Sequence, residues 1–203
     1  MAQQVFATKG NLINAKHSLR QAQLGYELMD RKRNILIREM VMLTDKAKAL
    51  SASLENTFAE AYAALQNANV MEGMLIEEVQ TMPMDNSVEI TYRSVMGIEL
   101  PQVNGGDAEP KLCYSLADTY SSYDRAYVCF LKAKQTGLML AEIENSVYRL
   151  SVAIRKSQKR ANALKNILIP NYRAQVKFIT EALEEKEREE FSRQKIIKAK
   201  VAK

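Results

Sequence analysis

One apolar stripe with the spacing of a coiled coil runs through the N-terminal part of the chain. It steps alternately by three and four residues and is interrupted only by Arg33 and Thr57. A period of 3.5 residues held over this length is typical of a left-handed coiled coil. We therefore predict one helix from about residue 8 to residue 70. The stripe consists of Leu12, Ala15, Leu19, Ala22, Tyr26, Met29, Arg33, Leu36, Met40, Leu43, Ala47, Leu50, Leu54, Thr57, Ala61, Ala64 and Ala68.

A second stripe of the same period occupies the C-terminal part, although Pro170 lies inside it. Proline removes a backbone donor and crowds the carbonyl four residues back, which costs about 3 kcal/mol in a helix interior. Between Leu168 and Val176 two steps of four follow each other, a local slip in phase. A slip beside a proline lets a kinked helix follow its partner, so we predict a bend at Pro170 and not a helix end. The stripe consists of Leu140, Ile143, Val147, Leu150, Ile154, Ser157, Ala161, Leu164, Leu168, Tyr172, Val176, Ile179 and Leu183.

The segment between the stripes changes character. SVEITYR at 87–93 alternates Val88, Ile90 and Tyr92 on one face, and GIELPQV follows it with Gly97 placed for a turn. This pattern predicts a short β-hairpin that also contains Met96, Ile98 and Leu100. Pro101 restricts the second strand to an edge, and NGGD at 104–107 predicts a further turn or loop.

A further helix is predicted after the hairpin. Ser115 and Asp118 resemble a helix N-cap, and aromatic residues follow at helical spacing, namely Tyr120, Tyr123, Tyr127 and Phe130. These aromatics do not share the frame of the stripe that begins at Leu140. We therefore expect a kink or a brief break near Thr136–Gly137.

The fold class that follows is mainly α: a long antiparallel two-helix coiled coil with a short β-hairpin and a small helical head between the arms. We assign 1–72 to the N-terminal arm, 73–136 to the head, and 137–203 to the C-terminal arm with its basic tail. If the ends of such a helical hairpin meet, Leu36 lies opposite the neighbourhood of Ala161 and Leu164.

Composition agrees with long helices and excludes several protein classes. Only 7 Gly and 4 Pro occur among 203 residues, and no apolar run reaches the roughly 18 residues of a membrane span. The start lacks the pattern of a secretory signal, so we expect a cytoplasmic chain with two free thiols, Cys113 and Cys129. The net charge is +5, but along most of the chain the basic residues are interleaved with acidic ones. Only the end is purely basic, with Lys195, Lys198, Lys200 and Lys203.

No catalytic, metal or cofactor site is predicted. His17 is the only histidine and falls on the outer face of the first stripe, and no nucleotide-binding glycine motif occurs. The acidic run from Glu181 to Glu190 is interpreted as a solvated helix face. In it Glu184 pairs with Arg188 and Glu189 with Arg193 at a spacing of four residues.

Three stretches resemble the D subunit of the archaeal and vacuolar-type rotary ATPases: residues 8–40, 93–101 and 160–198. They contain T-K near the start, L-G-x-x-L-x-x-x-K-R, V-M-G, N-A-L before I-P, and E-R-E-E-F, in the order of that family. Ala7, where the family commonly has proline, and Lys165, where it commonly has glutamate, depart from the pattern. Residues 104–135 match only loosely.

This resemblance implies a central rotor shaft with no catalytic activity and no cofactor, on the cytoplasmic side of a membrane-bound complex. The implied partners are the catalytic ring of A and B subunits, the small F subunit of the stalk, and the membrane-rotor adaptor, which is the C subunit (named d in vacuolar enzymes). Both termini would enter the ring, with Lys195, Lys198 and Lys200 as partner contacts. The hairpin, with Ile90, Tyr92, Met96, Ile98 and Leu100, would lie near the F subunit.

Two other functions are weighed against this one. A prefoldin-like chaperone also has a β-hairpin between antiparallel helices, but its arms are shorter and its tips are apolar, whereas both ends here are densely charged. The second is a basic coiled-coil protein on nucleic acid, but along most of this chain the basic residues are interleaved with acidic ones, which is typical of a solvated face. A lack of DNA binding at any salt concentration would dismiss it.

Overall fold

The structure, a computed structural model, describes residues 6–73, 86–106, 110, 114 and 119–201. Its elements are α1 (Lys9–Glu72), β1 (Glu89–Val95), β2 (Ile98–Asn104), α2 (Ser121–Ala163), a π-helical turn (Leu164–Leu168) and α3 (Ile169–Val201). The predicted mainly α class is confirmed. Cys113, the predicted N-cap at Ser115 and Asp118, Asp107 in the predicted turn, and Lys203 lie outside the described residues.

The first stripe is confirmed along its whole length. α1 is a single helix of 64 residues, and every stripe position from Leu12 to Ala68 is buried or half-buried. Thr57, one of its two polar members, donates its hydroxyl to the carbonyl of Leu54 at 2.9 Å. His17 is exposed, as its outer position predicts.

α2 runs without interruption through Thr136 and Gly137, so a break there is wrong, whereas the alternative of a kink stays a prediction. The aromatic spacing had suggested a change of frame, but the buried positions include small residues that the aromatic pattern omits. Ala126 and Ala133 are 3% and 1% exposed, whereas Tyr120 is 70% exposed. The inward positions keep the steps of three and four up to Leu140. They are Tyr123, Ala126, Phe130, Ala133, Gly137 and Leu140.

As predicted, the helix continues past Pro170. The irregularity beside this proline is a π-helical turn. The N–H of Ile169 donates to the carbonyl of Leu164, five residues back. A π turn adds one residue to the helical repeat. The stripe therefore steps by five from Leu164 to Ile169, which is 8% exposed, while Leu168 is 40% exposed. The prediction that Leu168 faces inward is wrong for this reason.

The residues form two compact units, which do not coincide with the predicted division at 72 and 136; that division stays a prediction. The terminal unit comprises Met1–Asn34 and Arg155–Lys203, and the hairpin unit comprises Ile35–Ile154. Each contains a segment of α1 and a segment of the C-terminal helices.

In the terminal unit the two helical segments are antiparallel. A Cβ atom at Gly25 would lie 3.8 Å from Leu164, the ammonium of Lys165 lies 5.9 Å from the ring centroid of Tyr26, and Lys9 forms a 3.3 Å ion pair with Glu187. Because α3 continues past Glu187 to Val201, its end is not level with the start of α1.

In the hairpin unit the two helical segments are antiparallel as well. Tyr62 of α1 meets Phe130 of α2 edge to face at 5.6 Å between centroids, and Leu36 belongs to one buried cluster with Leu150. The predicted position of Leu36 opposite Ala161 and Leu164 is therefore wrong. It assumed that the ends of the two arms are level, which the C-terminal extension of α3 prevents.

The β-hairpin is confirmed, with the turn at the predicted glycine. β1 and β2 pair antiparallel from Glu89↔Asn104 to Val95↔Ile98. The two turn residues, Met96 and Gly97, have φ of 52° and 74°. Positive φ at both central residues is typical of a type I′ turn, whose twist matches that of paired strands. Glycine adopts this conformation without strain, which explains its place here.

A small apolar core fixes the hairpin on the helices of its own unit. Leu36 of α1, Leu100 of β2 and Leu150 of α2 are at most 2% exposed and contact one another. Half-buried residues from all these elements surround them, namely Met40, Leu43, Val95, Ile98, Ala153 and Ile154. Removing this much apolar surface from water holds the sheet against the helix pair.

Candidate functional site

The hairpin side chains predicted to contact a partner point in different directions. Ile90 and Tyr92 are 60% and 58% exposed, and Met96 at the turn is 48% exposed. Leu100 is buried and Ile98 is half-buried in the core of the hairpin unit. Because neighbouring side chains of a strand point to opposite faces, one face of the hairpin packs on the helices and the other is open to solvent. Ile90, Tyr92 and Met96 are thus accessible to a partner.

The outer edge of β2 is closed by side chains of α2. The N–H of Val103 donates to Glu142 Oε2 at 2.9 Å, and the carbonyl of Glu99 accepts a 3.0 Å hydrogen bond from Arg149 Nη1. Pro101 lies between them and has no N–H to satisfy. The position of Pro101 on an edge, predicted from its missing donor, is confirmed.

Arg149 also links this edge to the exposed face of the hairpin. Its guanidinium carbon lies 5.3 Å from the ring centroid of Tyr92, a cation–π contact. On the side of α1, Arg93 of β1 forms a 3.3 Å ion pair with Glu39. The hairpin is therefore tied to both helices of its unit by polar contacts as well as by its core.

A cavity of about 240 Å³ lies between the hairpin and these helices. Its lining mixes charged, polar and apolar groups, including Lys46, Arg93, Glu142 and Ser146. Within the described ranges, no group of three His, Cys, Asp or Glu side chains is arranged to hold a metal ion. None of the helices among the described residues has the long apolar stretch that a bilayer crossing requires.

The predicted contact residues of the tail lie at the end of α3, in the terminal unit. Lys195, Lys198 and Lys200 are all exposed, and the last two lie in the final helical turn. Cations are favourable there because the unpaired carbonyls give a helix C-terminus partial negative charge. Large apolar side chains accompany the lysines and are 58% to 80% exposed, namely Phe191, Ile196, Ile197 and Val201.

The acidic run before the tail is a solvated helix face, as interpreted from the sequence. Every residue from 184 to 201 is exposed. Glu189 pairs with Arg193 at 3.8 Å, as predicted. Within 119–201, by contrast, Glu184 and Arg188 form no ion pair; Glu181 pairs with Lys177 at 3.8 Å instead. Exposed pairs of this kind stabilise a helix by only a few tenths of a kcal/mol.

Two features of these surfaces were not predicted. The apolar residues of the tail are visible in the sequence, but the predicted tail contacts rest only on its charged residues. Glu142 and Arg149 lie seven residues apart, two helical turns, and therefore reach the same side of α2. Their spacing is recognisable, but their backbone partners lie 39 and 50 residues away and depend on the tertiary fold.

A cluster near the start of α2 has a strong hydrogen bond. The hydroxyl of Tyr114 donates to Asp124 Oδ1 at 2.6 Å, and its ring meets those of Tyr123 and Tyr127 edge to face at 4.8 and 5.8 Å. Burial raises the pKa of Tyr114, and the hydrogen bond to the Asp124 carboxylate raises it further. Cys129, a few residues on, is a half-buried free thiol, as predicted.

Comparison with known proteins agrees with the sequence resemblance over nearly the full chain. The family model of the ATP synthase D subunit matches residues 11–199. The D subunit of the V-type ATP synthase of Thermotoga neapolitana is 42% identical over 200 residues, which covers 98% of both chains. The D subunit of the A-type ATP synthase of Pyrococcus abyssi is 34% identical over 197 residues, 95% of this chain and 92% of that protein. The chain therefore belongs to the family of ATP synthase D subunits.

Proposed function

We propose that the chain is the central rotor shaft of a V-type or A-type ATP synthase. In this role it transmits torque between the catalytic ring of A and B subunits and the rotor that moves ions in the membrane. It supplies no catalytic group of its own and acts from the cytoplasmic side. Family membership supports a place in an ATP synthase complex, and the shaft role rests on the arrangement of the helices.

The observation that supports the shaft most directly is the continuity of the inward stripes. In both units, segments of α1 face segments of the C-terminal helices through stripes with the same alternating spacing, and the π turn keeps the second stripe inward past Pro170. Two paired helices resist twisting and bending more than one helix would, because each stripe position of one is supported by the other.

The tail supports the proposed contact with the catalytic ring. Lys195, Lys198 and Lys200 lie on a helix end at which every residue from 184 to 201 is exposed. Apolar side chains such as Ile196 and Ile197 lie between these lysines. Exposed apolar groups rimmed by charge are typical of a protein interface.

The remaining proposed partners are the small F subunit of the stalk and the adaptor, the C subunit (named d in vacuolar enzymes). The exposed face of the hairpin is the part of the chain that we place nearest to the F subunit. Ile90, Tyr92 and Met96 support this placement because they offer accessible apolar surface.

Binding of the isolated chain to a purified ring of A and B subunits tests this proposal. Native mass spectrometry should detect one copy of the chain per ring. Replacement of Lys195, Lys198 and Lys200 together by glutamate should weaken binding, because this change reverses the charge of the tail. The matched control places glutamate at three exposed basic residues of the hairpin unit, Lys48, Arg125 and Lys132. If the chain does not bind the ring but prevents unfolded proteins from aggregating, the result would instead support the chaperone alternative.

A further inference from the structure

The two outer edges of the hairpin differ in how their backbone groups are satisfied. In a hairpin with a two-residue turn, every second residue directs its N–H and C=O away from the partner strand. On β2 these residues are Glu99, Pro101 and Val103. On this edge Arg149 of α2 bonds to the carbonyl of Glu99, Glu142 of α2 accepts from the N–H of Val103, and proline has no donor.

The corresponding residues of β1 are Ile90, Tyr92 and Ser94, the cross-strand partners of the β2 set. All three are exposed. Among the residues that the structure describes, their outward N–H and C=O groups meet no hydrogen-bonding partner. The strand pairs without a bulge over seven residues and contains no proline. Within the described residues, the outer edge of β1 is therefore not protected by a bulge, a proline or a bonded side chain of another element.

We propose that the outer edge of β1 binds an extended strand of the small stalk subunit, which adds a third strand to the sheet. This inference rests on the proposed function, since that function places this subunit beside the hairpin. The outward backbone groups repeat about every 7 Å, a spacing that only an extended strand matches with its own N–H and C=O groups. Peptide recognition by strand addition uses the same arrangement.

The side chains of β1 fit this mode of binding. Ile90 and Tyr92 lie two residues apart, so both point to the solvent face and offer apolar surface to the side chains of an added strand. Arg93 points to the other face, where its charge is paired with Glu39. The added strand therefore meets an apolar strip and no unpaired charge from Arg93. Because side chains of α2 bond to the β2 edge, β1 is the side of the sheet at which a strand can be added.

A pair of proline variants separates the two edges. Ser94→Pro removes one outward donor from β1, and Glu99→Pro removes the outward donor of its cross-strand partner on β2. Neither donor belongs to the β1–β2 ladder, and the native Pro101 occupies an equivalent position on β2. Affinity of the full chain for the purified small stalk subunit is measured by calorimetry. We expect Ser94→Pro to bind about tenfold more weakly, the effect of losing one backbone hydrogen bond, and Glu99→Pro to bind like the wild type.

Hydrogen exchange of the wild-type chain provides a readout that does not depend on how the variants fold. In the complex, the amides of Tyr92 and Ser94 should exchange at least about tenfold more slowly than in the free chain, because the added strand engages them. If the two proteins bind but these amides stay unprotected, strand addition is wrong while the rotor assignment stands. If the amides of Tyr92 and Ser94 are already protected in the free chain, and the free chain has the mass of a dimer, a second copy occupies the edge. This result would overturn the proposal. Failure of the wild-type chain to bind the small stalk subunit would overturn it together with the proposed partner.

Discussion

The guanidinium of Arg33 donates a 2.7 Å hydrogen bond from Nη1 to Oε1 of Gln158 across the helix pair of the terminal unit. Arg33 occupies a stripe position at which an apolar side chain is expected. Its Nη2 lies 2.6 Å from Asp30 Oδ1 on the same helix, and Gln158 donates in turn to Asn162. A polar residue in the seam of a coiled coil fixes the axial register at a cost in stability. We interpret this contact as the register lock of the terminal unit.

Replacement of Arg33 by leucine should therefore separate stability from register. The free energy of unfolding should stay within about 1 kcal/mol of wild type or rise, because an apolar residue suits the stripe. Register is measured with cysteines at Tyr26 and Lys165, in a chain whose Cys113 and Cys129 are serine. Arg33→Leu should also cross-link a pair one heptad displaced, Tyr26 with Arg173, because the π turn adds one residue to the seven. Arg31→Leu, the same change at an exposed site, is the control. A single, unchanged cross-link in Arg33→Leu would argue against a register lock.

The π turn makes opposite predictions for two neighbouring apolar residues. Ile169→Ala should lower the free energy of unfolding by about 2–4 kcal/mol, because Ile169 is 8% exposed and its truncation leaves a cavity. Leu168→Ala should cost less than about 1 kcal/mol, since Leu168 is 40% exposed. Urea unfolding of both variants measures the difference. The reverse order of the two effects would mean that the helix passes Pro170 with a regular heptad and no extra residue.

The two faces of the hairpin should respond differently to truncation. Leu100→Ala should destabilise the isolated chain by about 3 kcal/mol, because Leu100 is 2% exposed in the core with Leu36 and Leu150. Tyr92→Ala should have a small effect on unfolding, because the ring is exposed and its main contact is Arg149. Thermal unfolding and binding to the small stalk subunit are measured for each. We expect Tyr92→Ala to reduce binding in a chain that is still folded. Equal losses of stability would show that both faces are structural.

The hydrogen bond between Tyr114 and Asp124 predicts a contribution to stability at alkaline pH. The folded-state pKa of Tyr114 is raised, so the unfolded chain releases this proton at a lower pH than the folded chain. The contribution is therefore complete below the unfolded value of about 10 and is lost as the pH rises from there towards the folded value.

Thermal unfolding followed from about pH 8 to about pH 11 measures this contribution, since the range includes the ordinary tyrosine pKa. Tyr114→Phe should lose less stability over this range than wild type, because phenylalanine has no proton to release. Tyr120→Phe, at an exposed tyrosine, should behave like wild type. Identical pH profiles for wild type and Tyr114→Phe would show that the hydrogen bond is not linked to folding.

Much of this fold is predictable from the sequence because long stripes constrain a helix at many positions. α1 follows from the periodicity of its apolar residues. The hairpin turn follows from the presence of Gly97, because glycine adopts the positive φ found there without strain. The sequence pattern does not identify Ala126, Ala133 and Gly137 as inward positions, because small side chains give a weak hydrophobic signal. Such small side chains nevertheless allow close packing of two helices. Periodicity detected a slip near Pro170, but it could not decide between Leu168 and Ile169 without knowledge of the π turn.

The candidate site is less predictable than the fold. Ile90 and Tyr92 could be recognised as one face of a strand, but alternation alone does not reveal which face of the hairpin packs on the helices. That choice is made by Leu100 in the core with Leu36 and Leu150. The contacts of Glu142 and Arg149 with β2 depend on how the hairpin lies against α2. No local pattern encodes such contacts, because the bonded groups are far apart in sequence.

The central claim is that the chain rotates inside a catalytic ring, and a reversible cross-link between rotor and ring tests it most directly. In the reconstituted complex, Cys113 and Cys129 are replaced by serine, one cysteine is introduced at Lys195, and another on the facing surface of the ring. Each single-cysteine complex, treated with the same oxidant, is the control. Oxidation should stop continuous ATP hydrolysis and reduction should restore it, because ring sites that cannot exchange conformations cannot turn over. Complete cross-linking with unchanged steady-state hydrolysis would contradict the rotating-shaft account.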